Sequence, residues 1–282
     1  MGNPDQTIAE RIREGIRDFT ASERRAGLAL LSHYPMAGLE TVAEFAARAG
    51  VSAPSVLRFV ARLGHASYPD FQRALRDELE AQLKTPLMKA SHETSAPPQD
   101  RLGRFAAAMV ANVADTFAHL PPQEFDAVAA LLADPRRKLH LVGGRFTDAI
   151  ARYAASHLRI LRPGVAHLAG QVEHWRDHLL DLGRRDVLVV FDIRRYQENI
   201  VTLATEAAGR GATIVLVTDQ WLSPVSRVAG HVLSARIEAP SNWDSTVAML
   251  ALTEALVAAV TERLWPSAKG RIEEIERLRG LA

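Results

Sequence analysis

Three short apolar runs constrain the fold of the second half of the chain more than any other feature. Leu139 to Gly143, Val187 to Phe191 and Thr213 to Thr218 are rich in valine, isoleucine and leucine, and a helical pattern follows each run. Weaker runs of the same kind lie near Val165 and Val232. Continuous apolar strands are buried on both faces, and parallel strands need crossover helices. The second half therefore predicts an α/β domain with a parallel sheet covered by helices.

Only helical periodicity appears before this region. From Gln6 to about Lys84 apolar residues recur at helical spacing, and Thr20 with Glu23 has the form of a capping box. Residues 85–100 contain prolines among serine, threonine and histidine, which is typical of a linker. The chain is therefore expected to form a helical domain at 1–84, a linker at 85–100 and an α/β domain at 101–282.

The composition narrows the class of protein. The 282 residues include no cysteine, which excludes disulfides and thiolate metal or redox sites. No window approaches the roughly 18 consecutive apolar residues of a membrane span, and residues 1–17 lack the apolar core of a secretory signal. A cytoplasmic protein without membrane contact is expected. Because the formal net charge is only +1, nucleic-acid binding requires a local basic face.

Residues 41–64 predict two short helices joined by a tight turn at Gly50, which is the layout of a helix-turn-helix motif. Between Phe45 and Pro69 the ionisable residues are three arginines and one histidine, without an acid. The start of such a second helix faces base edges and phosphates of double-stranded DNA. The alternative is a pair of packed helices with a solvated arginine face. Outside the predicted buried stripe of the second helix, the candidate DNA-contacting residues are Ser52, Pro54, Ser55, Arg58, Arg62 and His65.

The stretch AGVSAPSVLRFVARLGHASYPDFQRAL, residues 49–75, resembles the N-terminal domain of the RpiR family of bacterial transcription factors. The resemblance extends from about Thr7 to Lys84, and its part from Ser52 to Phe71 is quite specific. In that family the second domain is a sugar isomerase (SIS) domain, a five-stranded parallel sheet flanked by helices that usually senses a phosphorylated sugar. The strand pattern agrees with an SIS domain from about Arg101 to Leu264. The resemblance implies a DNA-binding transcription regulator that is not an enzyme and needs no cofactor.

SIS domains hold phosphate with a glycine-rich turn after the first strand and a Ser-x-Ser-Gly-x-Thr loop after a later one. The first turn here, residues 143–147, keeps one glycine and the hydroxyl but has Arg145 in place of the second glycine. The later loop, residues 192–197, has lost every expected hydroxyl and has an arginine in place of the glycine. The expected effector-binding residues are Gly143, Gly144, Arg145, Thr147, Asp192, Arg194, Arg195 and Trp243.

Two interpretations of the altered loop remain open. Arg194 and Arg195, together with Arg145, would converge as forked donors on an anionic metabolite, such as an organic acid or a differently placed phosphate. Alternatively, Asp192 pairs with an arginine, and the loop is structural or part of a subunit contact. Likewise Trp243, at the start of the last helix, either closes the crevice or packs as part of a helix cap. On either interpretation, binding of an ordinary sugar phosphate in the family's manner is not expected.

Three rival interpretations are weaker. One rival is a sugar-phosphate isomerase or sugar-phosphate-binding protein with an accessory helical domain. Either protein would need the phosphate-binding hydroxyls and glycine that the later loop lacks, and the isomerase would also need a positioned base. A DNA-binding oligomer without a small-molecule ligand is a further alternative. His174 and His178 lie one helical turn apart but lack the other residues of a metal site, so no metal is expected. A homodimer or homotetramer is expected, because paired heads gain from two half-sites and the apolar segment Ser241 to Leu264 offers an interface.

Overall fold

The N-terminal unit is helical, as the sequence predicts. The computed structural model describes residues 6–90, 100–170 and 172–280, and the chain divides into two compact units near residue 92. The helices of the first unit are α1 (Ile8–Gly15), α2 (Ala21–Ser32), α3 (Met36–Leu39), α4 (Val42–Ala49), α5 (Ala53–Arg62), α6 (Tyr68–Leu83) and α7 (Pro86–Ala90).

Local capping residues set several of these helix ends. The capping box of Thr20 and Glu23 is present at the start of α2 and satisfies backbone donors that the first helical turn leaves unpaired. Gly50 ends α4 with a φ of 62°, a left-handed conformation that favours glycine. Ser52 precedes α5, but its hydroxyl forms no capping bond and instead lies 3.0 Å from Ser55 Oγ. The side chain of Ser52 therefore does not cap α5.

The core of the first unit lies where α2, α4 and α5 pack against one another. Phe45 of α4 and Phe59 of α5 are completely buried, and Phe19 meets Phe59 edge to face at 5.8 Å between ring centroids. Burial of each such side chain stabilises the fold by about 1.5–3 kcal/mol relative to exposure. The predicted buried stripe of α5 is confirmed: Val56, Phe59, Val60 and Leu63 all lie in this core.

Helical structure extends into the predicted linker. Pro86–Ala90 forms α7, whose first position accepts a proline because its backbone nitrogen needs no hydrogen-bond partner. The predicted linker therefore begins with one short helix. The rest of the predicted linker, residues 91–99, lies outside the described residues.

The second unit contains the predicted five-stranded parallel sheet. Its strand order is β2-β1-β3-β4-β5, and every neighbouring pair is parallel. The three central strands are almost fully buried, because helices cover both faces of the sheet. The strands are β1 (Lys138–Gly143), β2 (Val165–His167), β3 (Asp186–Asp192), β4 (Thr213–Asp219) and β5 (His231–Ala235).

Helices connect and cover these strands. None of the described helices is both long and apolar enough to cross a membrane. The helices of the second unit are α8 (Arg101–Ala118), α9 (Pro122–Ala133), α10 (Asp148–Leu161), α11 (Val172–Leu179), α12 (Glu198–Gly209) and α13 (Val247–Leu278), with a short 3₁₀ helix at Pro224–Arg227.

The last helix differs from its prediction at both ends. α13 begins at Val247 rather than Ser241 and continues through Pro266, because Ala268 and Ile272 still pack on the core beyond the proline. Its apolar stripe packs against α8, α9 and α10 of its own unit. The residues of this stripe are buried within the unit itself: Ala248, Met249, Leu252, Leu256, Val260, Leu264 and Ala268.

Candidate DNA-binding surface and effector crevice

The outward face of α5 is short and carries the exposed side chain of Arg58 at its centre. Pro54 and Arg58 are exposed, as predicted, and so is Ser52 at the entry to the helix. Leu57 is 47% exposed and completes this face, although it was not among the predicted contacts. Leu57 lies outside the predicted buried stripe of the helix, as Arg58 does, so the sequence pattern could have identified it as exposed. α5 therefore presents a mixed apolar and cationic surface.

Ser55 does not lie on this face, contrary to its predicted exposure. Only 6% of its surface is accessible, because it lies four residues before Phe59 and hence beside the buried stripe. Its hydroxyl accepts a hydrogen bond from Arg58 Nη2 at 2.9 Å and lies 3.0 Å from Ser52 Oγ. Ser55 therefore orients Arg58 from below.

Arg62 and His65 are held by the domain itself. Arg62 donates to the Asp18 carbonyl oxygen at 3.2 Å, and its guanidinium lies 6.0 Å from the ring centre of Phe19. His65 packs edge-on against Phe71 at 5.4 Å. Burial, assisted by the positive charge of Arg11, lowers the pKa of His65 below its usual value. The surroundings of His65 therefore disfavour its charged form, and the Arg62 guanidinium is positioned by contacts within the domain.

Arg48 lies in the segment from Phe45 to Pro69 that contains no acidic residue, but an acidic residue outside this segment neutralises its charge. Arg48 forms an ion pair with Glu40, with 3.0 Å between Arg48 Nε and Glu40 Oε2. The local excess of positive charge is therefore smaller than the sequence window indicates, and it is concentrated at Arg58 and Arg62.

The second candidate site lies at the carboxyl ends of β1, β3 and β4, where open α/β sheets bind ligands. Thr147 Oγ1 accepts a hydrogen bond from the Gly144 amide at 2.8 Å and donates to the Phe191 carbonyl at 2.5 Å. A side chain at Gly143 would place its Cβ 2.4 Å from the Asp148 nitrogen, so the turn requires glycine there. The Thr147 hydroxyl therefore links the turn after β1 to β3 through hydrogen bonds within the chain.

The side chain of Arg194 is fully buried and forms an ion pair with Asp244 of the same chain. Its Nε lies 2.8 Å from Asp244 Oδ2, a second guanidinium nitrogen contacts the other oxygen, and the group stacks on Trp221 at 4.7 Å. Its backbone amide donates to Asp219 Oδ2 at 2.5 Å. The forked donor expected for an external anion therefore serves Asp244.

Two buried carboxyl groups complete this layer. Ser223 Oγ donates to Asp192 at 2.5 Å, and Tyr196 donates to Asp219 at 2.8 Å. Burial raises the pKa of Asp192 to about 7 and that of Asp219 to about 6. The buried side chains of the altered loop are therefore bonded within the chain, as the structural alternative expects. Asp192, however, pairs with Ser223 rather than with an arginine.

Four exposed side chains lie above this layer, and we name them the outer cluster: Arg145, Phe146, Arg195 and Trp243. Phe146 and Trp243 meet edge to face with 5.9 Å between ring centres. Arg145 lies 5.2 Å from the Phe146 ring centre, and Arg195 lies 5.9 Å from that of Trp243. Neither arginine forms an ion pair with a described residue. Trp243 belongs to the loop before α13 rather than to the helix start, and its ring contacts Phe146 of the turn after β1.

The predicted histidine pair on α11 forms no metal site in the described residues. His178 approaches His140, with 6.2 Å between ring centres. Among the residues that the structure describes, no group of three or more histidine, aspartate or glutamate side chains is placed to hold a metal ion.

Two family models match the chain. Residues 6–82 match the helix-turn-helix domain of the rpiR family, and residues 131–259 match the SIS domain. No curated protein matches the chain significantly.

Solved structures share the fold. The sugar isomerase domain of an RpiR transcription factor from Sphaerobacter thermophilus is 22% identical, with a TM-score of 0.57 over 63% of this chain and 99% of that one. The NanR protein of Vibrio vulnificus, complexed with ManNAc-6P, is 19% identical, with a TM-score of 0.56 over 96% of this chain and 98% of that one. At these identities the likeness concerns the fold.

Proposed function

This chain belongs to the RpiR family of transcription regulators, and we propose that it binds operator DNA through α5 under the control of a small anionic effector. Its helix-turn-helix domain places it among regulators rather than among the isomerases that share the SIS fold. Since its partner is DNA, we expect it in the cytoplasm.

The exposed position of Arg58 on α5 is the main support for the DNA-binding proposal. This arginine is exposed at the centre of α5, forms no ion pair with a described residue, and is oriented by Ser55 Oγ at 2.9 Å. A guanidinium at this point of a recognition helix is suited to forked hydrogen bonds with guanine in the major groove. Pro54 and Leu57 flank it with apolar surface that fits a thymine methyl group.

A homodimer or homotetramer follows from this mode of binding. One helix-turn-helix head contacts few bases, and two linked heads gain affinity by engaging half-sites about one DNA turn apart. The buried stripe of α13 packs within its own unit, whereas Val247 and Trp265 of the same helix are exposed and remain available for a contact between copies. Light scattering at micromolar concentration should give an even-numbered oligomer, and a stable monomer would contradict this part of the proposal.

The effector site is proposed at the carboxyl ends of β1 and β3. NanR, which shares the fold, is complexed with ManNAc-6P, and this supports a small-molecule ligand for the present chain; open α/β sheets bind ligands at the carboxyl ends of their strands. In this chain Thr147 and Arg194 are occupied by internal partners, so a sugar phosphate held by these groups is not expected. An effector that binds one arrangement of the oligomer more tightly would shift the spacing of the DNA-binding heads.

The direct test is selection of DNA by the full chain from a pool of random duplexes. The proposal predicts enrichment of one sequence with two related half-sites. Recovery of no preferred sequence at moderate salt would contradict sequence-specific binding.

A further inference from the structure

We propose that the outer cluster of Arg145, Phe146, Arg195 and Trp243 is the effector-binding surface, and that its ligand is a flat aromatic carboxylate. This inference rests on the proposed function, because it names the ligand class of the effector site.

Three side-chain donors in the described layer beneath the cluster are already engaged by carboxylates of the chain. The Arg194 guanidinium is fully buried and paired with Asp244. The Tyr196 hydroxyl donates to Asp219, and the Ser223 hydroxyl donates to Asp192. An anion entering this layer would have to displace a carboxylate that already has good geometry in a site without water access. The ligand surface must therefore lie further out.

The outer cluster has the positive charge that the buried layer lacks. Arg145 follows β1 and Arg195 follows β3, so adjacent parallel strands bring the two cations to the same edge of the sheet. Both side chains are exposed and without an ion pair among the described residues. A guanidinium binds a carboxylate through two parallel hydrogen bonds. The Arg145 backbone amide already donates to Gln197 Oε1 at 2.6 Å, which fixes the position of this residue.

The two aromatic rings define the other half of the ligand. Phe146 is 49% exposed and Trp243 is 56% exposed, although large aromatic side chains are usually buried much more fully. Their planes are inclined by 67°, which leaves exposed ring surface beside each arginine. A flat aromatic ring gains stacking or edge-to-face contact with such rings. Charge and ring together favour an aromatic acid.

The backbone at Arg195 supports a functional reason for this cation. Its φ is 67°, in the left-handed region where glycine is usual and an arginine is strained. Residues in such conformations concentrate at ligand-binding positions, where the surrounding structure enforces them. An arginine is held here although the backbone favours glycine.

Calorimetry on the full chain tests the proposal with chemically matched probes. The probes are 2-naphthoate, cyclohexanecarboxylate with the charge but no flat ring, 2-naphthol with the ring but no charge, and N-acetylmannosamine 6-phosphate. We expect 2-naphthoate to bind at least tenfold more tightly than the other three.

Three variants of the cluster and one control locate the site. Arg145→Gln, Arg195→Asn and Trp243→Ala should each weaken 2-naphthoate binding about tenfold, and asparagine tolerates the left-handed backbone at position 195. Arg185→Gln removes an exposed arginine at the opposite end of β3 and should leave the affinity unchanged. Each variant is checked for an unaltered melting temperature before the titration.

Two results would overturn the inference. The first is that 2-naphthoate does not bind the wild-type chain, and the second is that it binds the cluster variants and wild type equally. Tight binding of N-acetylmannosamine 6-phosphate instead, with a change in affinity for the selected duplex, would overturn the ligand class while the proposed function stands. DNA selection is run both without ligand and with 2-naphthoate, and failure in both arms would contradict the DNA-binding proposal itself.

Discussion

Arg194 and Asp244 form a buried ion pair that joins the end of β3 to the loop before α13, fifty residues further along the chain. Both charges are removed from water, so each depends on the other for its stability. The pair anchors the loop that carries Trp243 over the crevice.

Asp244→Ala should therefore lower the free energy of unfolding by about 3–5 kcal/mol, because it leaves the Arg194 guanidinium buried without a counter-charge. Urea denaturation measures the change. Glu274→Ala, which removes one partner of the exposed ion pair with Arg277, is the control and should have little effect. Equal effects of the two substitutions would show that the Arg194–Asp244 pair is not buried in solution.

Gly143→Ala should destabilise the second unit by at least about 1–3 kcal/mol, because the new Cβ would lie 2.4 Å from the Asp148 nitrogen and neither backbone segment can move freely. Gly270→Ala is the matched substitution in α13, where a Cβ meets no atom within 4 Å. It should stabilise the chain by about 0.5–1 kcal/mol through its helix propensity. Thermal denaturation of both variants gives the comparison, and a neutral Gly143→Ala would contradict the close approach.

The raised pKa of Asp192 makes a specific prediction for pH dependence. Its folded-state pKa is about 7, against 3.8 for an unperturbed aspartate, so between these values the folded chain retains a proton that the unfolded chain releases. The free energy of unfolding should therefore fall as the pH rises from 4 to 7, by on the order of 4 kcal/mol for this group, and stay level above pH 7.

Asp192→Asn should remove the share of this decrease that comes from Asp192 and leave the share of Asp219, whose pKa is also raised. Asp177→Asn, at an exposed position of α11, should preserve the whole decrease. Urea denaturation at a series of pH values provides the measurement. A wild-type stability that rises between pH 4 and 7, with no difference in the Asp192→Asn variant, would mean that the carboxyl group is not buried.

Ser55→Ala separates orientation from direct DNA contact. The hydroxyl is buried and accepts a hydrogen bond from Arg58 at 2.9 Å, so its removal should weaken binding to the selected duplex by roughly 1 kcal/mol, less than removal of Arg58. In the double variant Ser55→Ala, Arg58→Ala, the first substitution should have no further effect. Additive losses would indicate that Ser55 contacts DNA independently.

Local sequence signals located the strands and several helix ends, but not α7 or the ends of α13. The β-branched runs located all five described strands, because a strand buried on both faces must be apolar throughout. The capping box at Thr20 and the left-handed glycine at Gly50 were predictable for the same reason, since both depend on residues close in sequence. Ser55 was misplaced because its polarity was given more weight than its helical position beside Phe59.

The interior of the crevice was not predictable in the same way. The partner of Arg194 is fifty residues away, and no local pattern connects it with Asp244. The partner of Asp192 was expected to be a neighbouring arginine and is Ser223, which β4 brings close in space. Such pairings depend on the register of parallel strands and on the course of loops.

The central claim is that α5 reads DNA through Arg58, and the affinity of Arg58→Ala for the selected duplex tests it most directly. Filter binding at one fixed salt concentration compares this variant with wild type and with Arg76→Ala, which removes an exposed arginine from α6. We expect Arg58→Ala to weaken specific binding by about 1–3 kcal/mol while its melting temperature and the affinity of Arg76→Ala stay unchanged. Equal affinity of wild type and Arg58→Ala would contradict the account.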